Sequence, residues 1–175
     1  MRPAHRQATT AIPYASRLLG RPTELRISKR QACPCPSKCQ SSSLDVSGIH
    51  GFGAWPTGGS NPKGVALGSI SITCSSGLQY ALGIDAGQHY DGSRRVLVSG
   101  DNTVPYKLRT SSGGPEWGDT GLTAIASDYV ETHPAQAVQG NGNGQSQNFF
   151  IWGDADIGHA SAGTYSDIVN ITAVW

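Results

Sequence analysis

Charge is scarce in this chain and long apolar runs are absent: only 14% of the 175 residues are Asp, Glu, Lys or Arg. Helix surfaces are normally built from Glu, Lys, Arg, Gln and Ala, so the shortage of charge, set beside 23 glycines and many Ser, Thr and Asn, argues against helix. Crossing a bilayer takes roughly 18–20 consecutive apolar residues, and no run approaches that length, so no transmembrane helix and no membrane insertion are expected. Nothing repeats at the period of a propeller or a solenoid. What remains is one all-β domain with an appendage, since the chain is long enough for one real core and short for two.

The net charge of +1 hides an uneven distribution. Residues 1–40 carry Arg2, Arg6, Arg17, Arg21, Arg26, Lys29, Arg30 and Lys38 against Glu24 alone, a net of +7, and the remainder carries five basic residues against eleven acidic ones, a net of −6. The basic arm has no aromatic residue beyond Tyr14, no heptads and no zinc-finger spacing, so nucleic acid is not its expected partner. With Pro3, Pro13 and Pro22, scattered charge and no sustained period, residues 1 to about 30 are expected to be largely unstructured on their own. One alternation stands out: Thr23, Leu25 and Ile27 against Glu24, Arg26 and Ser28 would suit a strand if something supplied a sheet.

The four cysteines, Cys33, Cys35, Cys39 and Cys74, admit three complete pairings. The spacing C-P-C-P-S-K-C matches no standard zinc pattern and the required fourth ligand is unidentified, so no metal is expected. A disulfide from one of the first three to Cys74 is the favoured reading, and it implies an oxidising compartment. The stretch MRPAHRQATTAIPYASRLLG lacks the apolar core of a secretory signal; either the signal has been removed, or the true start lies elsewhere, or export is unusual.

From about Ser43 onward, short strands alternate with glycine-rich turns, the signature of a sandwich or barrel. SLDVSGIHGFGAW reads as a broken strand. VALGSISITC follows, with a bulge expected at Gly68, and then LQYALGID, RRVLVSG and VPYKLRT, where Pro105 points to an edge or a strand start. LTAIAS is a candidate strand, QGNGNGQSQ a flexible hairpin loop, and NFFIWGDADI and TYSDIVNITAVW close the chain. That makes about seven strands and no helix.

Candidate chemistry is sparse. Asp154 and Asp156 with His159, or Glu116 with Asp119, have the composition of glycosidase acids or calcium ligands, but Asp and Gly also mark turns, and no EF-hand loop is present. The histidines His5, His50, His89, His133 and His159 fit no metal spacing, and there is no G-x-S-x-G elbow. GNGNG is followed by neither a lysine nor a helix, so it is no phosphate loop. Trp55, Trp117, Trp152 and Trp175 could stack sugars, yet core and rim packing explains them more simply. No catalytic residue, no cofactor and no enzymatic activity are therefore expected.

GSISITCSSGLQYALGIDAGQH, RRVLVSGDNTVPYKLRTS, EWGD and SAGTYSDIVNITAVW together resemble the spore coat protein U domain family, the subunits of archaic chaperone-usher pili and related coats, from about Cys39 to Trp175. The resemblance implies an immunoglobulin-like sandwich lacking its final strand, secreted through the periplasm with a chaperone and an outer-membrane usher. It further implies polymerisation by donor-strand complementation: identical subunits would join head-to-tail as the N-terminal extension of one fills the groove of the next. The family pairs a cysteine before its first strand with one on the next, which implies Cys39–Cys74 and leaves Cys33 and Cys35 unassigned. Its donor segment lies just upstream of the first cysteine, which implies Leu19, Thr23, Leu25 and Ile27 within about 18–30. The acceptor groove would be flanked by Tyr165, Val169, Ile171, Ala173 and Trp175. The expected organisation is thus an extension, residues 1–38, and a pilin domain, residues 39–175, forming an extracellular filament with a role in adhesion and biofilm. The alternative is a self-contained secreted sandwich that binds carbohydrate or a surface.

Overall fold

The computed structural model describes residues 7–17 and 39–47 as backbone strands, with Cys39 in full, and residues 52–56 and 58–175 throughout. The strands are β1 (Gln7–Arg17), β2 (Cys39–Ser47), β3 (Val65–Cys74), β4 (Gln79–Ile84), β5 (Arg95–Ser99), β6 (Asn102–Arg109), β7 (Val138–Asn141), β8 (Ser146–Ala155) and β9 (Thr164–Val174), with one 3-10 turn at Leu122–Ala124. All pairings between these strands are antiparallel. The hydrogen-bonded path runs β2-β3-β8-β6-β5-β9-β4-β7, with β1 on β9. Its link between β5 and β9 is the single pair Val98–Ser166. There the path folds over: Ile70, Ile72, Leu108 and Ile151 from one side and Tyr80, Leu82, Ile84, Val169, Ile171 and Ala173 from the other share one buried core. The molecule is the expected all-β, immunoglobulin-like sandwich.

Period-2 alternation accounts for most of the strands. In β3, Ile70, Ile72 and Cys74 are buried while Ser69, Ser71 and Thr73 are half-exposed. The bulge expected near Gly68 is present, a register shift against β8 between Ala66 and Gly68. Pro105 sits opposite Val96 of β5, one residue before β6 begins to pair with β8 at Tyr106, so its missing N–H breaks no ladder bond there. Gly153 has a packing reason to be glycine: a Cβ there would run into the Leu67 side chain and the Phe52 ring.

Three sequence expectations change. LTAIAS is not a strand but the 3-10 turn, entered through Gly121 at φ 99°. Leu122 and Ala126, four apart, bury on Ala81, Ala137 and Val174, a helical spacing that competes with the alternation. QGNGNGQSQ is not a hairpin, because β7 pairs with β4 whereas β8 pairs with β3, so the segment carries the chain between layers. Residues 7–17, for which no regular structure was expected, form an eleven-residue strand. Local sequence could not show this, because the edge that supports the strand lies at the far end of the chain.

Candidate functional site

The terminal strand β9 is buried on both faces. Tyr165, Asp167, Val169, Ile171 and Ala173 face the main core, while Thr172 and Val174 are covered on the opposite face. One edge of β9 is closed in pieces by the body of the domain. β4 pairs with 171–174, the Asp85 N–H donates to the Asn170 carbonyl at 3.1 Å, the Gln88 N–H to the Ile168 carbonyl at 2.9 Å, and β5 meets Ser166. These contacts direct the backbone groups of the even-numbered residues of β9 towards the body. The odd-numbered ones point the other way, and among the described residues β1 alone pairs with them.

β1 runs antiparallel along the whole of β9, from Gln7 opposite Val174 to Arg17 opposite Thr164. Ala8, Thr10, Ile12, Tyr14 and Ser16 stand opposite Ala173, Ile171, Val169, Asp167 and Tyr165, so their backbone groups hold the bonded positions. Pro13, opposite Ile168, falls on the parity whose backbone groups point away from β9. A shift of one residue would set its missing N–H into the ladder, so the proline pins the register and blunts the outer edge of β1.

Of the implied acceptor residues, Tyr165, Val169, Ile171 and Ala173 lie buried in β9, and Trp175, just past its end, is half-buried against the same core. Cys39 and Cys74 are joined by a disulfide, which fixes the point where the arm enters the body at the start of β2. Leu19, Thr23, Leu25, Ile27, Cys33 and Cys35 lie outside the described residues.

A residue that sequence reading passed over is Asp167. Its buried carboxylate accepts from Tyr106 Oη at 2.7 Å, His89 Nδ1 at 2.9 Å, the N–H groups of Gln88 and His89 at 3.1 Å each, and its own neighbour Ile168. The signal was an acid on the apolar parity of the strand: a buried carboxylate needs such donors. It ties the 86–90 loop to β9 beside the acceptor edge.

The candidate acids are occupied one by one. Asp154 pairs with Arg109 at 2.6 Å and accepts the Gly64 N–H. Burial would raise its pKa, but the Gly64 N–H and Arg109 outweigh it and hold the carboxyl below the usual range. Asp156 accepts from Asn61, and Asp119 from Thr132, His133 and Tyr129. Glu116 lies 3.7 Å from Arg95, 3.4 Å from His133 and 3.4 Å from Lys107. Burial again opposes ionisation, and His133 and Lys107, with Arg95 after them, hold this carboxyl low. Arg95 is fully buried and donates to the carbonyls of Asp85, Ile84 and Trp117, stapling the 115–119 loop to β4. His159 is exposed. Of the four tryptophans, Trp117 is buried, its indole N–H donating to the Leu82 carbonyl at 2.9 Å.

The fold and this edge define a class: a disulfide-tied β-sandwich whose β9 carries a long edge met, among the described residues, by the arm and not by the body. The chain belongs to the Spore Coat Protein U domain family, whose model matches residues 30–172. That is a family of structural coat and pilus domains rather than enzymes, and the match leaves β1 outside it. None of the curated proteins matches the chain.

Proposed function

We propose that the protein is the structural subunit of a secreted surface filament, assembled by donor-strand complementation with adhesion and biofilm formation as its use. Subunits join head-to-tail, with the arm of one copy, residues 1–38, completing the sandwich of the next, residues 39–175. A periplasmic chaperone and an outer-membrane usher handle the subunit before assembly. The observation that carries the reading is the odd-parity edge of β9: eleven residues long, backed by buried Tyr165, Val169, Ile171 and Ala173, and met by a segment of the arm rather than of the body. An edge of this kind gains main-chain hydrogen bonds and core contacts together when a strand is added. The net +7 of residues 1–40 against −6 in the remainder favours the approach of arm to body.

Leu19, Thr23, Leu25 and Ile27 are the proposed donor positions between copies. Deleting residues 18–30 and imaging purified material by negative stain tests this. Non-assembling subunits are expected, and fibres like those of the intact chain would sink the reading. A contact of this type is heterologous and need not close, which is what a filament requires.

A further inference from the structure

The strand on the acceptor edge belongs to the same chain. We infer that Gln7–Arg17 is a self-cap: before assembly it covers the chain's own β9 edge, and it must leave before the arm of another copy can take that edge. This rests on the donor-strand reading above and adds to it a second arm segment with the opposite task.

The route is long enough. β1 ends at Arg17 opposite Thr164, whereas β2 begins at Cys39, paired with Cys74. Cys74 lies at the other pole, because β4 starts at Gln79 after a short turn and Ala81 already faces Val174. The two ends, Arg17 and Cys39, are therefore separated by the length of β9, roughly 35 Å for eleven residues, and by the spacing of the layers, roughly 10 Å more. From Arg17 to Cys39 there are 22 Cα–Cα steps, which reach about 75 Å when extended. Docking within one chain is thus unstrained, and a tether of this length holds the segment at an effective concentration on the order of millimolar. At lower subunit concentrations the chain's own segment wins over a neighbour's copy of it.

The segment is fitted to the place. Pro13 stands at a parity that needs no N–H, and the strand spans β9 from Thr164 to Val174. It also lies outside residues 30–172 of the family match.

Cysteine cross-linking tests the cap. Ala15 and Ser166 are directly opposite, Ser166 is exposed, and the pair lies at the non-bonded parity, where Cα atoms approach to about 4.5 Å. In a full-length chain carrying Ala15→Cys and Ser166→Cys, with Cys33→Ser and Cys35→Ser, oxidation of dilute unassembled subunit should give mainly an intrachain product. On a non-reducing gel its yield should not change with protein concentration. Ladders alone, at every dilution, would overturn the cap while leaving donor-strand assembly intact. No cross-link of either kind would overturn the β1–β9 pairing and the cap with it, and the 18–30 deletion then judges the donor reading alone. Two variants guard against a folding artefact. Removing residues 20–34 leaves seven steps, about 25 Å, so cross-links should pass to between chains; a persistent intrachain product would overturn the reach argument. A chain starting at Leu18 keeps the proposed donor and lacks the cap, so it should form filaments severalfold faster, and slower assembly would overturn the cap and assign donation to residues 7–17.

Discussion

The two edges of β9 are closed by different means. On the body side the closure is a patchwork of β4, the 85–88 segment and one pair from β5, reinforced by side chains: Asp85 accepts from the Asn170 N–H at 2.9 Å and from its amide group, and Asp167 gathers the 86–90 loop. On the arm side a single strand of eleven residues runs without interruption, joined to the body only through residues 18–38. The body edge is made by segments close in sequence and fixed by the Asp85 and Asp167 carboxylates; the arm edge is made by a single segment some 150 residues away in the chain. On the donor-strand assembly proposed above, a subunit folded before assembly and completed by it needs both kinds of edge on one strand.

The largest expected effect comes from loosening the point that the two regions share. Replacing Cys39 and Cys74 together by serine removes a bridge between residues 35 apart and should cost about 2–5 kcal/mol in urea titration. It should also free the root of the arm, so that β1 and the body no longer respond as one. An unchanged midpoint would mean that the β2–β3 ladder alone anchors the arm. Next is Asp167→Ala, which strips the body side of its carboxylate and leaves the Tyr106 hydroxyl and the 88–89 amides without that acceptor, at about 3 kcal/mol. Amide exchange at Gln88 and His89 should accelerate much more than in β3. Uniform acceleration would show that Asp167 holds the whole sandwich and not one edge.

How much of this could be read from the chain divides along the same line. Most body strands, though not β7, were legible because they carry their own alternation, as in Ile70, Ile72 and Cys74 or Val169, Ile171 and Ala173, and because the terminal strand is apolar on the parity that faces the core. Two features of the body were not. Leu122 and Ala126 bury at helical spacing on the outer face of β4 and β9, and Asp167, passed over among apolar residues, is the anchor of a loop. The arm was legible only as a charge asymmetry. Gln7–Arg17 has weak alternation and a central proline, so nothing local marks it as a strand. Its pairing is decided by β9, some 150 residues later, and Pro13 makes sense only once the parity of that edge is known.

Glu116 offers a smaller effect on the body alone. In Glu116→Gln, buried Arg95 loses its nearest carboxylate, and the cost should be about 2 kcal/mol because Glu116 itself is partly exposed. The folded carboxyl is held below its ordinary value of 4.5. Its contribution is therefore complete above that pH and disappears as pH falls through the lower folded value. Denaturant titrations from neutral to acid pH should show the intact chain losing stability below about 4.5, with Asp154 adding to the fall in the same direction. The Gln variant should start lower and fall less; parallel curves would remove Glu116 from the account. β1 cross-linking should be unaffected by the substitution, since the cluster stands on the other side of the comparison.

The smallest expected effect probes the arm edge by parity. Ile12, opposite Val169, is at a bonded position, and Ala11, opposite Asn170, is not. Ile12→Pro removes a donor from the ladder and should weaken docking of β1 by about 1 kcal/mol beyond the loss in Ile12→Ala, which measures the side chain alone. Ala11→Pro adds a second outward-pointing proline beside Pro13 and should leave docking nearly unchanged. Exchange protection of the Val169 amide is the readout, since that group pairs with position 12. A difference between the two prolines fixes the register of the arm on β9, and equal losses would show that β1 pairs there in another register or in several.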